Sequence, residues 1–186
     1  VFSPWNGGSG FGAKDKTPLE YIRILESSTA HRLAPYRNAL AVIRSVLAAK
    51  SEKGWTKERF VQELRNRLPD DALPWMDASV VLTAKKTEYP PILGTGGNDG
   101  RLDFSTNVHQ RLEDVLPELD ANPERSRAWM RDLLWGRSTE KLLAASVGQG
   151  DPVGAGTPGS SAFGSADAMV NPWAFILMVE GAMLFA

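Results

Sequence analysis

The chain has 186 residues, 42% of them apolar and 23% charged, which suits one domain or two small ones sharing a core and excludes wholesale disorder. It holds no cysteine, so thiol catalysis, disulfide frameworks and thiolate zinc sites are all excluded, and its two histidines, His31 and His109, are too few for a histidine-rich metal centre. A net charge of −1 argues against a general polyanion binder, yet residues 1–65 carry 11 basic and 6 acidic side chains while residues 66–186 carry 10 and 16.

A basic first third of this kind can hold an anionic ligand while the acidic remainder faces other partners. The sequence starts at Val1 without Met and stops within an apolar run, as a piece of a longer protein would. It shows no secretory-signal pattern.

The predicted elements are helices. The first opens at Pro18 after Thr17 and carries Tyr21, Ile22, Leu25 and Leu33 at helical spacing. Pro35 opens the second, where Tyr36, Leu40, Ile43 and Leu47 form an apolar stripe. Arg37 and Arg44, seven positions apart, project from nearly the same side of it. A third helix starts at Trp55-Thr56 with Thr56 as N-cap, buries Phe60, Val61, Leu64 and Leu68, and ends at Pro69. Strand signals are thin. Val80-Val81-Leu82-Thr83 and Pro91-Ile92-Leu93 are short, and the first equally extends a helix.

Ser105 or Thr106 caps a fourth helix with Val108, Leu112, Leu116 and Leu119 on one face. A fifth runs from Pro123 to about Trp135 with Trp129, Met130, Leu133 and Leu134. The last 15 residues, 172–186, fall short of the ~20 that a membrane span needs and contain Glu180, so they read as a core helix cut at its end. The expected fold is mainly α, or α+β with a few short strands, its helices separated by glycine-rich loops. Residues 1–147 form a helical nucleic-acid-binding region with two glycine-rich turns. Residues 148–168 form a Gly/Ser/Pro-rich loop, and 169–186 start the apolar helix.

Motif tests remove most chemistry. Counting from Gly94, the second glycine of a phosphate loop would fall on Asp99, and no Gly-Lys pair follows. The dinucleotide pattern fails at the same Asp99, whose charge repels a pyrophosphate. There is no His-Glu-x-x-His helix and no Gly-x-Ser-x-Gly elbow. Asp99 and Asp103, near Glu113 and Asp114, offer oxygen ligands, but Asn98-Asp99-Gly100 is a turn signature in its own right. His109 reads as a surface or core-edge side chain. The expectation is a non-enzymatic protein with no cofactor and no metal.

Binding remains. Glycine turns expose backbone N–H groups that approach phosphates closely. Asn6, Gly7 and Gly8 form the first such turn, with Lys14, Lys16, Arg37 and Arg44 supplying charge around it. Gly96, Gly97 and Asn98 form the second, followed by Arg101, Asn107, Gln110 and Arg111. Against this stands the reading in which each basic residue merely solvates a helix face. The third glycine segment, residues 148–164, is either a surface linker or a structured loop leading into Asn171-Pro172-Trp173.

Three blocks together resemble one family. They are Ser3-Pro4-Trp5-Asn6-Gly7-Gly8-Ser9-Gly10-Phe11, the run from Gly94 to Ser105 with Gln110-Arg111-Leu112 behind it, and Asn171-Pro172-Trp173 with Glu180-Gly181. In this order they resemble the large subunit of type I-G CRISPR effector complexes, formerly type I-U, a longer protein. The resemblance implies a non-catalytic subunit of an RNA-guided surveillance complex in the prokaryotic cytoplasm. Its implied partners are the 5′ handle of the guide CRISPR RNA, the protospacer-adjacent motif of double-stranded target DNA, other effector subunits and a separate helicase-nuclease, with no membrane. Base pairing then reads the long sequence and protein reads only a short duplex motif. The alternative is a helical protein-interaction module that assembles a complex without touching nucleic acid.

Overall fold

The computed structural model describes residues 3–5, 9, 11, 16–84, 86–89, 104–145 and 168–184. Seven α-helices among them set a mainly α fold, with four strands of two or three residues. Helix α1 (Lys16–Ser27) buries Ile22 and Leu25. It stops where the hydroxyls begin: Ser27 Oγ donates to the Ile24 carbonyl at 2.9 Å, competing with the backbone ladder. Leu33, expected on α1, instead closes a separate 3₁₀ turn, His31–Leu33.

Helix α2 (Ala34–Lys53) has Pro35 in its first turn and ends on Gly54, whose φ of 61° is the left-handed cap that glycine adopts without a Cβ clash. It buries Ala39, Leu40, Ile43 and Val46. Thr56 caps α3 (Lys57–Arg67) as expected, its side chain accepting from the Arg59 amide at 3.2 Å. Phe60, Val61 and Leu64 face the core, and the chain leaves the helix at Leu68 before Pro69.

A short helix α4 (Leu73–Asp77) was not expected; it has Pro74 in its first turn and buries Met76. Strand β1 (Val81–Leu82) pairs antiparallel with β2 (Thr87–Glu88), Val81 opposite Glu88. Pro91-Ile92-Leu93 lies outside the described residues, as does the segment 148–164.

Helix α5 (Phe104–Val115) is followed by α6 (Pro123–Trp135), which has the predicted boundaries. Asn122 caps α6, accepting from the Arg125 amide at 3.0 Å, and Gly136 closes it at φ 60°. Strand β3 (Leu143–Ala145) pairs antiparallel with β4 (Ala168–Val170), and α7 (Pro172–Leu184) follows directly.

The apolar tail is therefore integral to the fold: α7 packs along α5 and against α6, and β4 ties residues 168–170 to residues 143–145. Phe175 and Val179 of α7 meet Val108 of α5, Ala78 and Val170 in one cluster. A larger cluster draws on all seven helices, including Val115 of α5 and Ile176 of α7, with Trp5 and Phe11 from the start of the chain. No helix of the described residues is long and apolar enough to cross a membrane.

Candidate nucleic-acid interface

Of the expected contact residues, Asn6, Gly7, Gly8, Lys14, Gly96, Gly97, Asn98 and Arg101 lie outside the described residues. Lys16 starts α1, and nothing further is described of its side chain. Arg37, Arg44, Asn107, Gln110 and Arg111 can be placed.

The two α2 arginines are tied inward. Arg37 donates from Nη1 to the Ala30 carbonyl at 2.8 Å, bracing the turn between α1 and α2. Arg44 Nε donates to Glu26 Oε1 at 2.9 Å, and its guanidinium lies 5.8 Å from the centre of the Phe11 ring. Both side chains are half-buried, so each presents only part of its fork to solvent.

On α5, Asn107 and Arg111 stand four residues apart and share a face. Asn107 is 1% exposed, and neither its Oδ1 nor its Nδ2 has a hydrogen-bond partner. Arg111 is 8% exposed; its Nε lies 2.9 Å from Asp114 Oδ2, but without the alignment of a hydrogen bond, and its Nη1 has no partner at all. An enclosed polar atom without a partner loses its hydration and gains nothing in return, so native structures hold few of them. The sequence reading expected both residues to face a ligand from the surface; the structure encloses them. Arg111 lines a cleft.

That cleft, about 390 Å³, lies between α5 and the start of α6, with Gln110, Arg111, Asp114, Asn122 and Arg125 among its walls. Arg125 stacks over Trp129 with its guanidinium carbon 4.5 Å from the ring centre and Nε 3.3 Å from Glu140. Burial pushes the Asp114 carboxyl above its ordinary range, against the pull of Arg111 and Arg125. Glu113 is raised too, by burial first and then by Asp114 and Glu20. Two guanidinium groups and two amides thus share a half-enclosed space with carboxylates that are reluctant to ionise. Arg125 and Asn122 were not anticipated, and no local pattern marks them, because only the packing of α6 beside α5 brings them to Arg111.

His109 corrects a further expectation. It is neither on the surface nor at the core edge but 1% exposed, its Nε2 2.8 Å from the Tyr36 hydroxyl. The Phe11 ring meets it edge-on with centroids 6.3 Å apart. Burial raises the pKa of the Tyr36 phenol, and the charge of Glu180 raises it further. Among the described residues no group of His, Asp and Glu is arranged to hold a metal ion, and Asp99 and Asp103 lie outside them.

Asn171-Pro172-Trp173 is structural. Asn171 Nδ2 donates to the Trp129 carbonyl at 2.8 Å, its Oδ1 accepts from the Trp173 amide at 3.1 Å, and Trp173 Nε1 donates to the Ser126 carbonyl and hydroxyl, both at 3.1 Å. These bonds lock the start of α7 onto α6. Comparison with protein-family models, curated proteins and solved structures found no match to this chain.

Proposed function

We propose that this chain is a nucleic-acid-binding, non-catalytic part of the large subunit of a type I-G CRISPR effector complex, contacting the 5′ handle of the guide RNA and the protospacer-adjacent motif of target DNA. The observation that carries this reading is convergence. Described parts of the three resembling blocks, far apart in sequence, meet at α5: Phe11 of the first touches His109, Gln110-Arg111-Leu112 behind the second lie on α5 itself, and α7 of the third packs along α5. Trp5 and Phe11 are buried anchors on either side, in sequence, of Asn6-Gly7-Gly8. Arg111, whose Nη1 has no partner, lines the cleft on the helix that follows residues 94–101 in sequence, and a phosphate or base edge there supplies the missing acceptor. Guanidinium groups at such a place hold phosphate or read a guanine edge.

One observation favours the alternative, a helical module that assembles a complex without touching nucleic acid: Arg37, Arg44 and Arg111 each spend a donor or a charge on a partner within the chain. Salt separates the two. Affinity for guide RNA and for motif-containing duplex, measured over a range of potassium chloride concentrations, is expected to fall steeply, because each phosphate contact releases counterions. A flat salt response, or no binding to either nucleic acid, overturns this reading in favour of the interaction module.

A further inference from the structure

The exposed face of α6 carries a feature that the α5 reading does not use. Arg127, Met130, Arg131 and Leu134 recur at helical spacing on one side of α6, and with Trp135 and Arg137 they line a shallow groove of about 380 Å³. The opposite side carries the buried Ser126 and Trp129. Leu134 is 61% exposed and Trp135 65%, although α6 has a complete core-facing side of its own. No carboxylate is among the groove's lining residues. Among the described residues Arg127 pairs with Glu124 alone, at 2.7 Å and with both side chains well exposed, so a phosphate displaces that partner at little cost. Among the described residues neither Arg131 nor Arg137 is within ion-pair distance of a carboxylate. This cationic groove lies in the acidic part of the chain, where residues 66–186 hold 10 basic and 16 acidic side chains.

The groove is also held rigid. Gly136 ends α6 in the left-handed conformation, and the Arg137 amide donates to the Asp132 carbonyl at 2.8 Å. The Asp132 carboxylate then accepts from the Thr139 amide at 2.7 Å, the Thr139 hydroxyl at 2.6 Å and the Glu140 amide at 2.8 Å. Trp135 and Arg137 therefore stand on a clamped turn, and little ordering remains to be done on binding.

We propose that this end of α6 binds single-stranded DNA, with a base stacked on Trp135 and the backbone phosphates held by Arg127, Arg131 and Arg137. An open indole face beside guanidinium groups is the arrangement that holds unpaired strands without reading their sequence. The carboxylates of an acidic peptide satisfy the arginines but not the indole, whereas each nucleotide brings both a phosphate and a stacking base. Apart from the guanidinium donors, which the phosphates take up, the lining has no Asn, Gln, Ser or Thr to pair with a 2′-hydroxyl, so RNA gains no contact there that DNA lacks. Met130 and Leu134 offer an apolar floor that suits a thymine methyl.

Binding of a labelled oligothymidylate to the 186-residue chain, followed by fluorescence anisotropy, tests this. Three phosphate contacts are expected to give a log–log salt slope of about −2. Trp135→Ala should weaken binding by at least ~5-fold with an unchanged melting temperature, and Arg131→Glu with Arg137→Glu should flatten the slope. Blunt duplex should bind less tightly than the single strand. Unchanged affinity in Trp135→Ala overturns the proposal. Tighter binding of oligouridylate reassigns the groove to RNA, and displacement by polyglutamate as effective as that by oligothymidylate reassigns it to an acidic protein partner. The groove shares no residue with α5, so guide-RNA binding by Trp135→Ala reports on the α5 reading separately.

Discussion

Asn107 is the residue whose surroundings are hardest to account for by stability alone. Its amide is enclosed and unpaired, whereas leucine, of the same branched shape though bulkier, would bury carbon there at no polar cost. In the isolated chain Asn107→Leu is therefore expected to raise stability, by about 1–2 kcal/mol, because it removes an unsatisfied group rather than a bond. The urea midpoint measures this directly. The same variant should lose affinity for guide RNA or target duplex if that amide is kept for a ligand. A lowered midpoint would mean that the amide supports the fold, and would remove Asn107 from the interface. Tyr36 and His109 differ from it in kind: their 2.8 Å contact satisfies the phenol within the core.

Among the elements, the end of α6 is held by a single carboxylate. The Thr139 hydroxyl and then the Glu140 amide hold Asp132 below the usual carboxylate range, with the Thr139 amide and the charge of Arg131 adding to the effect. A carboxyl with a lower pKa folded than unfolded adds stability above its unfolded value, about 3.9, and that contribution is lost as the pH falls through the folded value. Asp132→Asn is therefore expected to lower the melting temperature near neutral pH, and the gap from the native chain should close below about pH 4. Glu113 and Asp114 act with the opposite sign. Their raised pKa values favour the folded state at low pH and lose that effect as the pH rises through them. Both remain in the variant, so the difference between the two melting curves isolates Asp132. A gap that is constant with pH would show that the carboxylate's charge is not what holds the turn.

At the scale of the whole molecule, α7 decides whether the chain is one cooperative unit. Phe175 and Val179 pack against Val108 of α5, while Trp173 and Asn171 bond to α6. Phe175→Ala should cost about 3–5 kcal/mol, the usual penalty for emptying a buried aromatic site. Because α7 touches both helices, that loss should appear in one transition, with circular dichroism and tryptophan fluorescence giving coincident urea curves. Two separated transitions would show that residues 169–186 unfold apart from the rest.

What the sequence determined by itself is the set of helices with local punctuation. Pro35 opens α2, Thr56 and Pro69 bracket α3, and Pro123 opens α6; each acts on backbone within a turn of itself, so no distant partner is needed to read it. The mainly α class followed from the same 3.6-residue period. Tertiary structure alone decided the rest. Helix α4 is too short to carry a period, and β3 with β4 exists only because Leu143 meets Val170 across the chain. Above all, it decided that Asn107, His109 and Arg111 are inside. Polar side chains on a helix read as a solvated face when only their neighbours in sequence are known. They are buried here because elements distant in sequence pack around α5 and take the place of water: α1 and α7 lie along it, and Phe11 and Tyr36 close over His109.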